Sequence, residues 1–227
     1  MRSFLTLASF LVACSGGAAP YPFADATAET APDARGTEDS ATAIDALSNE
    51  TADAASESAV AEQRTYFASC LPAATGDNAS QSFLFYVDAT FAADGKSLDL
   101  EMTPLRETAT NFALSQTVGD AFRQKAIPIV DGRFVFEPGD VGIPGDAQRF
   151  GPSTIVFRNL RFEAQRLDRD GFCAEMKGEM TSPIPIDLSP PGDGCVFRRL
   201  DPGSPLPTAT EGGATFVGFV AAEHRCP

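Results

Sequence analysis

The chain has 227 residues and a formal net charge of −14, from 31 acidic and 17 basic side chains. Phosphate backbones are held by a basic face, so this balance excludes nucleic acid as a partner. There is one histidine, His224, and any Ser-His-Asp or Cys-His arrangement must use it.

The first residues are Met1-Arg2-Ser3, followed by the apolar run Phe4 to Ala13 and then Cys14. One positive charge before a short apolar stretch is the layout of an export signal. The stretch is about half of the roughly 20 residues a membrane-spanning helix needs. Leu11-Val12-Ala13-Cys14 resembles the bacterial lipobox: Leu, a tolerant position, a small residue, then Cys. The resemblance implies diacylglycerol on the Cys14 thiol, cleavage before Cys14 by signal peptidase II, and acylation of the new amino group, commonly with palmitate. Residues 1–13 are then the signal peptide, and the lipid membrane is a partner through acylated Cys14. Two or three chains hold a protein firmly where one holds it only marginally. Ser15, where an inner-membrane lipoprotein carries Asp, implies the outer membrane in a Gram-negative envelope.

From 14 to 63 the chain is rich in Ala, Ser, Thr, Gly and acid, with ten acidic residues between Asp25 and Glu62 against Arg35 alone. Such a segment cannot bury enough apolar area to offset its ordering entropy, so a disordered acidic linker is expected. A flexible coil of this length spans about 35–42 Å, and repulsion between its charges extends it. Its expected role is to hold a domain clear of the lipid surface.

Setting Cys14 aside leaves Cys70, Cys173, Cys195 and Cys226. An even set in an oxidising compartment predicts two disulfides, with three connectivities open. The favoured pairing is Cys70–Cys226, joining the domain's ends, with Cys173–Cys195 stapling neighbouring segments. No C-x-x-C occurs, and His224 beside Cys226 is too lone a pair for zinc, so no metal or cofactor is expected.

Residues 64–227 read as a single β domain. Ser82 to Phe91 is rich in β-favouring residues, and Ser97 to Thr103 alternates strictly beyond Asp94-Gly95. The pair predicts a hairpin with Leu98, Leu100 and Met102 facing the core. Ala126–Val130 and Arg133–Phe136 repeat the device around Asp131-Gly132, with Pro128 placing its strand at an edge or strand end. Ile155–Leu167 and Phe172–Met180 repeat it around Asp170-Gly171, with Phe172, Ala174, Met176 and Met180 on one face. Short strands are expected at 184–188, 195–198 and 215–221, and Glu107–Gln116 is open between a short helix and a strand. Roughly eight strands punctuated by Gly, Pro and Asp predict an all-β antiparallel sandwich or barrel. Asp131-Gly132-Arg133-Phe134, Ile143-Pro144-Gly145-Asp146-Ala147 and Gly171-Phe172-Cys173, with Gly178 and Pro183, resemble uncharacterised lipoproteins of myxobacteria. That resemblance implies no activity.

Catalytic motifs are sparse. There is no G-x-S-x-G elbow, H-E-x-x-H, phosphate loop or G-x-G-x-x-G. His224 reads as a surface residue beside a disulfide. Glu175 and Glu179 share a strand face about 13 Å apart, too far for the roughly 5–9.5 Å of a glycosidase pair; Lys177 between them makes a solvated charged face. Asp168-x-Asp170-Gly171 resembles the start of a calcium loop with Glu179 at its last position, but a strand would carry Glu179 away, and a hairpin turn explains the residues without metal. The expectation is a non-enzymatic, membrane-anchored envelope protein with a binding or structural role, its partner a protein, a glycan or another envelope component. A carboxylate-dependent hydrolase and a carrier of apolar ligand are the alternatives.

Overall fold

The computed structural model of the chain describes residues 60–226, apart from 77, 166, 169, 189–191 and 193. Cys14, the signal segment 1–13 and the linker as far as residue 59 lie outside the described residues. Alternating and β-branched or aromatic runs become strands: β1 Glu62–Leu71, β2 Phe83–Phe91, β3 Ser97–Pro104, β4 Phe122–Pro128, β5 Phe134–Ile143, β6 Ile155–Gln165, β7 Gly171–Ser182, β8 Ile186–Asp187, β9 Gly194–Arg199, β10 Thr208–Glu211 and β11 Ala214–Val217. The first strand thus begins two residues before the expected domain start at 64.

Eight of these form one antiparallel sheet in the order β4-β3-β2-β1-β9-β7-β6-β5, with β8 paired to β7. The sheet curls until β4 and β5 lie side by side, which resolves sandwich or barrel in favour of a nearly closed barrel. At this seam there is no strand ladder; the Glu137 N–H donates instead to the Gln124 Oε1, at 2.6 Å. The Asp131-Gly132 turn does form, with both residues at positive φ and Val130 bridged to Arg133. Above it the expected hairpin splays: β4 pairs with β3 and β5 with β6. Pro128 and Pro138 lack the N–H a ladder needs, and Ala126 adopts a left-handed φ of 52°.

The inward positions fill the barrel with Phe. Phe83, Phe85, Phe136, Phe157 and Phe162 are all fully buried, as are Leu98 and Met102 from the alternating β3. Phe172 stacks on Phe197 at 4.1 Å and meets Tyr66 and Phe134 edge-on. A second layer covers the outside of β1, β2 and β9: Phe67, Leu84, Tyr86 and Val196 pack beneath Leu105, Phe112, Leu206 and Phe219. The covering side chains come from the 105–121 loop, which carries a single 3-10 turn at Leu114–Gln116 and no α-helix, and from the tail after β9. β1 is consequently buried on both faces from Tyr66 to Leu71.

Two disulfides form, but in the other pairing: Cys70–Cys195 and Cys173–Cys226. The reason is the side of the sheet on which each cysteine lies. Cys70 and Cys195 both point into the barrel and stand opposite each other in the β1–β9 register. Cys173 alternates with the inward Phe172 and Ala174, so it faces outward, where the tail returns with Cys226. The expected pairs would each have linked an inner sulfur to an outer one.

Candidate functional site

Strand direction sorts the connections into two kinds. At one end of the barrel lie the tight turns 92–96 and 129–133, the passage from β6 to β7 at Asp168 and Asp170, and the start of β1. Asp168 belongs to this end. Its Oδ1 accepts from the N–H groups of Asp170 (2.8 Å) and Gly171 (2.7 Å), so its carboxylate organises the turn. Arg64 closes the barrel here, paired through two hydrogen bonds with Glu62 and lying 4.7 Å over the Phe91 ring. At the other end lie the long connections 72–82, 105–121 and 144–154, and the stretch from 183 that leads from β7 into β8. Long loops on a rigid scaffold are where binding residues concentrate.

These loops are tied to one another. The Glu107 N–H donates to the Asp146 carbonyl at 2.8 Å, and Arg149 Nη1 donates to the Ser80 carbonyl at 2.9 Å. Arg106–Asp146 (3.7 Å) and Arg149–Glu107 (3.6 Å) add ion pairs across the same two loops. Gln148 is only 4 % exposed and shapes the 148–153 turn. Its Nε2 donates to the carbonyls of Gly151 and Ser153, and its Oε1 accepts from the Phe150 N–H. That turn holds Phe150 over the barrel mouth, 5.4 Å from the Phe83 ring.

Beneath Phe150 is an apolar pocket of about 200 Å³, with Phe83, Ile155 and Met180 in its wall and Pro72, Pro183, Ile184 and Ile186 around it. Ile184 is 63 % exposed and Phe150 39 %, so the rim presents large apolar side chains to water. Next to it, a polar cleft of about 380 Å³ is lined by Arg106, Glu107, Asp146, Gln148 and Arg149. The shared 145–152 loop makes the two a composite surface that can receive an apolar group beside a polar, charge-paired rim. Phe150 and Ile184 were not singled out from the sequence. The available signal was an isolated aromatic before Gly151-Pro152 and an isoleucine between Pro183 and Pro185.

A second depression, of about 850 Å³, lies on the outer wall over β5, β6 and β7. It is shaped by irregular pairing around Gly139, Asn159 and Gly178, all at positive φ. A Cβ on Gly178 would come within 2.8 Å of the Arg158 carbonyl oxygen, which is why a glycine stands there. Glu179 is paired in register with Asp187 of β8, and Glu137, Arg161 and Lys177 complete the lining. Lys177 pairs with Glu175 at 2.8 Å, and Arg161 with Glu163 at 2.8 Å. Glu175 and Glu179 thus share the outer face of β7, alternating with the inward Met176 and Met180, with Lys177 between them bound to Glu175 and Glu179 set opposite Asp187.

His224 is not on the surface as expected: it is 1 % exposed, against the outer face of β1. The tail folds back and a 3-10 turn, Ala221–His224, sets the ring among hydroxyls. Its Nε2 lies 2.9 Å from Ser69 Oγ and its Nδ1 3.1 Å from the Val220 carbonyl oxygen. The pattern is that of the neutral tautomer with Nδ1–H donating to Val220 and Nε2 accepting from Ser69. Ser69 is fully buried, so this pair joins the tail to β1 without facing a cleft. Burial pushes the imidazole pKa below its usual value, against smaller opposing effects from the Val220 carbonyl, Glu223 and Glu211. The unfolded chain then binds this proton more readily than the folded one. Stability from His224 is thus full above about pH 6.5 and is lost as pH falls through the folded value. Urea midpoints taken between pH 7.5 and 5 should fall in the wild type and fall less in His224→Gln; equal slopes would contradict the assignment.

No protein-family model, curated protein or solved structure matches the chain.

Proposed function

We propose that the protein is a lipid-tethered binding protein of the bacterial cell envelope, anchored through acylated Cys14, whose β-barrel binds a protein or glycan partner at its long-loop end. The observation that carries the reading is the exposed apolar rim of Phe150 and Ile184 around a pocket backed by the packed barrel. The position of β1 supports it: the chain enters the barrel at Glu62, at the tight-turn end, so a tether attached there leaves the opposite end free for a partner. Ser15 supports outer-membrane placement in a Gram-negative host.

Two further points bear on the alternatives. A pocket of about 200 Å³ is smaller than the roughly 300–1,000 Å³ of small-molecule sites, and the barrel interior is occupied by Phe side chains; both weigh against a carrier of apolar ligand. The Glu179–Asp187 pairing in the outer depression is what favours a carboxylate-dependent hydrolase as second reading.

The test is photo-crosslinking in cells from the full-length protein, with benzoylphenylalanine at position 150 or 184 and, as control, at Lys96. Specific adducts from 150 and 184 but not 96 are expected, together with a thioether-linked diacylglycerol on the mature N-terminus by mass spectrometry. Adducts from position 96 alone would overturn the binding face, and an unmodified Cys14 the anchor. Glycoside or ester hydrolysis lost in Glu179→Gln would turn the reading to an enzyme.

A further inference from the structure

We propose that the last turn of the chain is a thiol-operated latch: a dithiol reductant opens Cys173–Cys226 and releases residues 218–226 while the barrel stays closed. The two disulfides differ in access. Cys70 and Cys195 are completely buried inside the barrel, whereas Cys173 and Cys226 are both partly exposed on its outside. Thiol–disulfide exchange needs an approach to sulfur, so the outer bond reacts first. The bonds also hold different things. Cys70–Cys195 joins two neighbouring strands of the barrel. Cys173–Cys226 joins β7 to a tail that crosses the outer surface and contributes no strand to the barrel.

Apart from the disulfide, the tail is held by the buried side chains of Phe219, Ala221 and His224 and by polar contacts at its surface. His224 meets Ser69 at 2.9 Å, and Arg198 pairs with Glu223 at 2.9 Å while lying 4.5 Å over the Phe219 ring. Exposed ion pairs such as Arg198–Glu223 hold weakly. The turn rests on bare backbone: the His224 carbonyl oxygen stands 1.7 Å from where a Cβ on Gly194 would be. Beneath it lie Ser69, Ser82, Leu71 and Ala79, all buried. Its departure therefore uncovers a strip of the outer face with two hydroxyls at one side and apolar carbon at the other.

The chemistry balances with the reductant supplied. One thiolate of the dithiol attacks a sulfur of Cys173–Cys226, the S–S bond breaks and a mixed disulfide forms. The reductant's second thiol displaces it. The protein gains two electrons and two protons as two thiols, and the reductant becomes a disulfide.

The experiment treats the purified full chain with about 1 mM dithiothreitol, quenches with iodoacetamide at intervals, and reads peptide alkylation and hydrogen exchange by mass spectrometry. Cys173 and Cys226 should be alkylated together at least about tenfold faster than Cys70 and Cys195. Amides of 218–226 should then exchange faster, with those of β2 unchanged. Equal alkylation rates would overturn the proposal, and so would reduction that leaves 218–226 protected. Cys173→Ser with Cys226→Ser gives an independent reading in oxidising buffer. A chain with native far-ultraviolet dichroism and rapid exchange in 218–226 supports the latch; retained protection there rejects it.

Discussion

Replacing Cys70 and Cys195 together by alanine is expected to lower unfolding free energy by about 4–5 kcal/mol. The bond spans 125 residues of sequence, and cross-linking a long loop removes correspondingly more freedom from the unfolded chain. Small domains are stable by only about 5–15 kcal/mol, so the loss takes much of the margin. The site adds to the effect, since both sulfurs are fully buried in the barrel interior and their removal leaves a void between β1 and β9. The measurement is the urea midpoint of the double variant against wild type under oxidising conditions. A decrease below about 2 kcal/mol would mean that the reduced chain retains β1–β9 pairing when unfolded.

The second large effect is expected at Phe172, where alanine should cost about 3–5 kcal/mol. Phe172 lies against three rings from three other strands: Phe197 of β9 at 4.1 Å, Phe134 of β5 at 5.2 Å and Tyr66 of β1 at 5.5 Å. Truncation removes apolar burial and three aromatic contacts at once, in an interior that the surrounding strands cannot collapse to fill. Phe150→Ala is the matched control. Its ring is substantially exposed on a loop, so it should cost less than about 1 kcal/mol while weakening the partner capture proposed for the long-loop end. If Phe172→Ala proved as mild as Phe150→Ala, the barrel core would be more deformable than its packing implies.

Much of the barrel was legible where one strand face meets water. β3 alternates strictly, and Leu98, Leu100 and Met102 do turn inward; β7 reads the same way through Phe172, Ala174 and Met176. β1 escaped because its run from Tyr66 to Leu71 is buried on both faces and carries no period of two. The second half of β5 escaped because Pro138 and Gly139 look like a turn, yet they sit in an irregular stretch of a continuing strand. Cysteine number gave two disulfides, but partner choice depended on strand order, which no local pattern encodes: β9 reaches β1 only after the chain has built six other strands of the barrel. For the candidate site the limit is the same. Phe150 and Ile184 come from loops 34 residues apart in sequence and converge only because β6 and β7 are neighbours.

The unladdered seam between β4 and β5 also bears on how the molecule behaves in company. An open sheet offers its two outermost strands to any neighbour, and fibrous association usually begins there. Here those two strands face each other, with Gln124 reaching across to the Glu137 amide. Each also carries a proline, Pro128 or Pro138, that cannot donate to an incoming strand. A crowd of such domains can therefore be dense without templating one another.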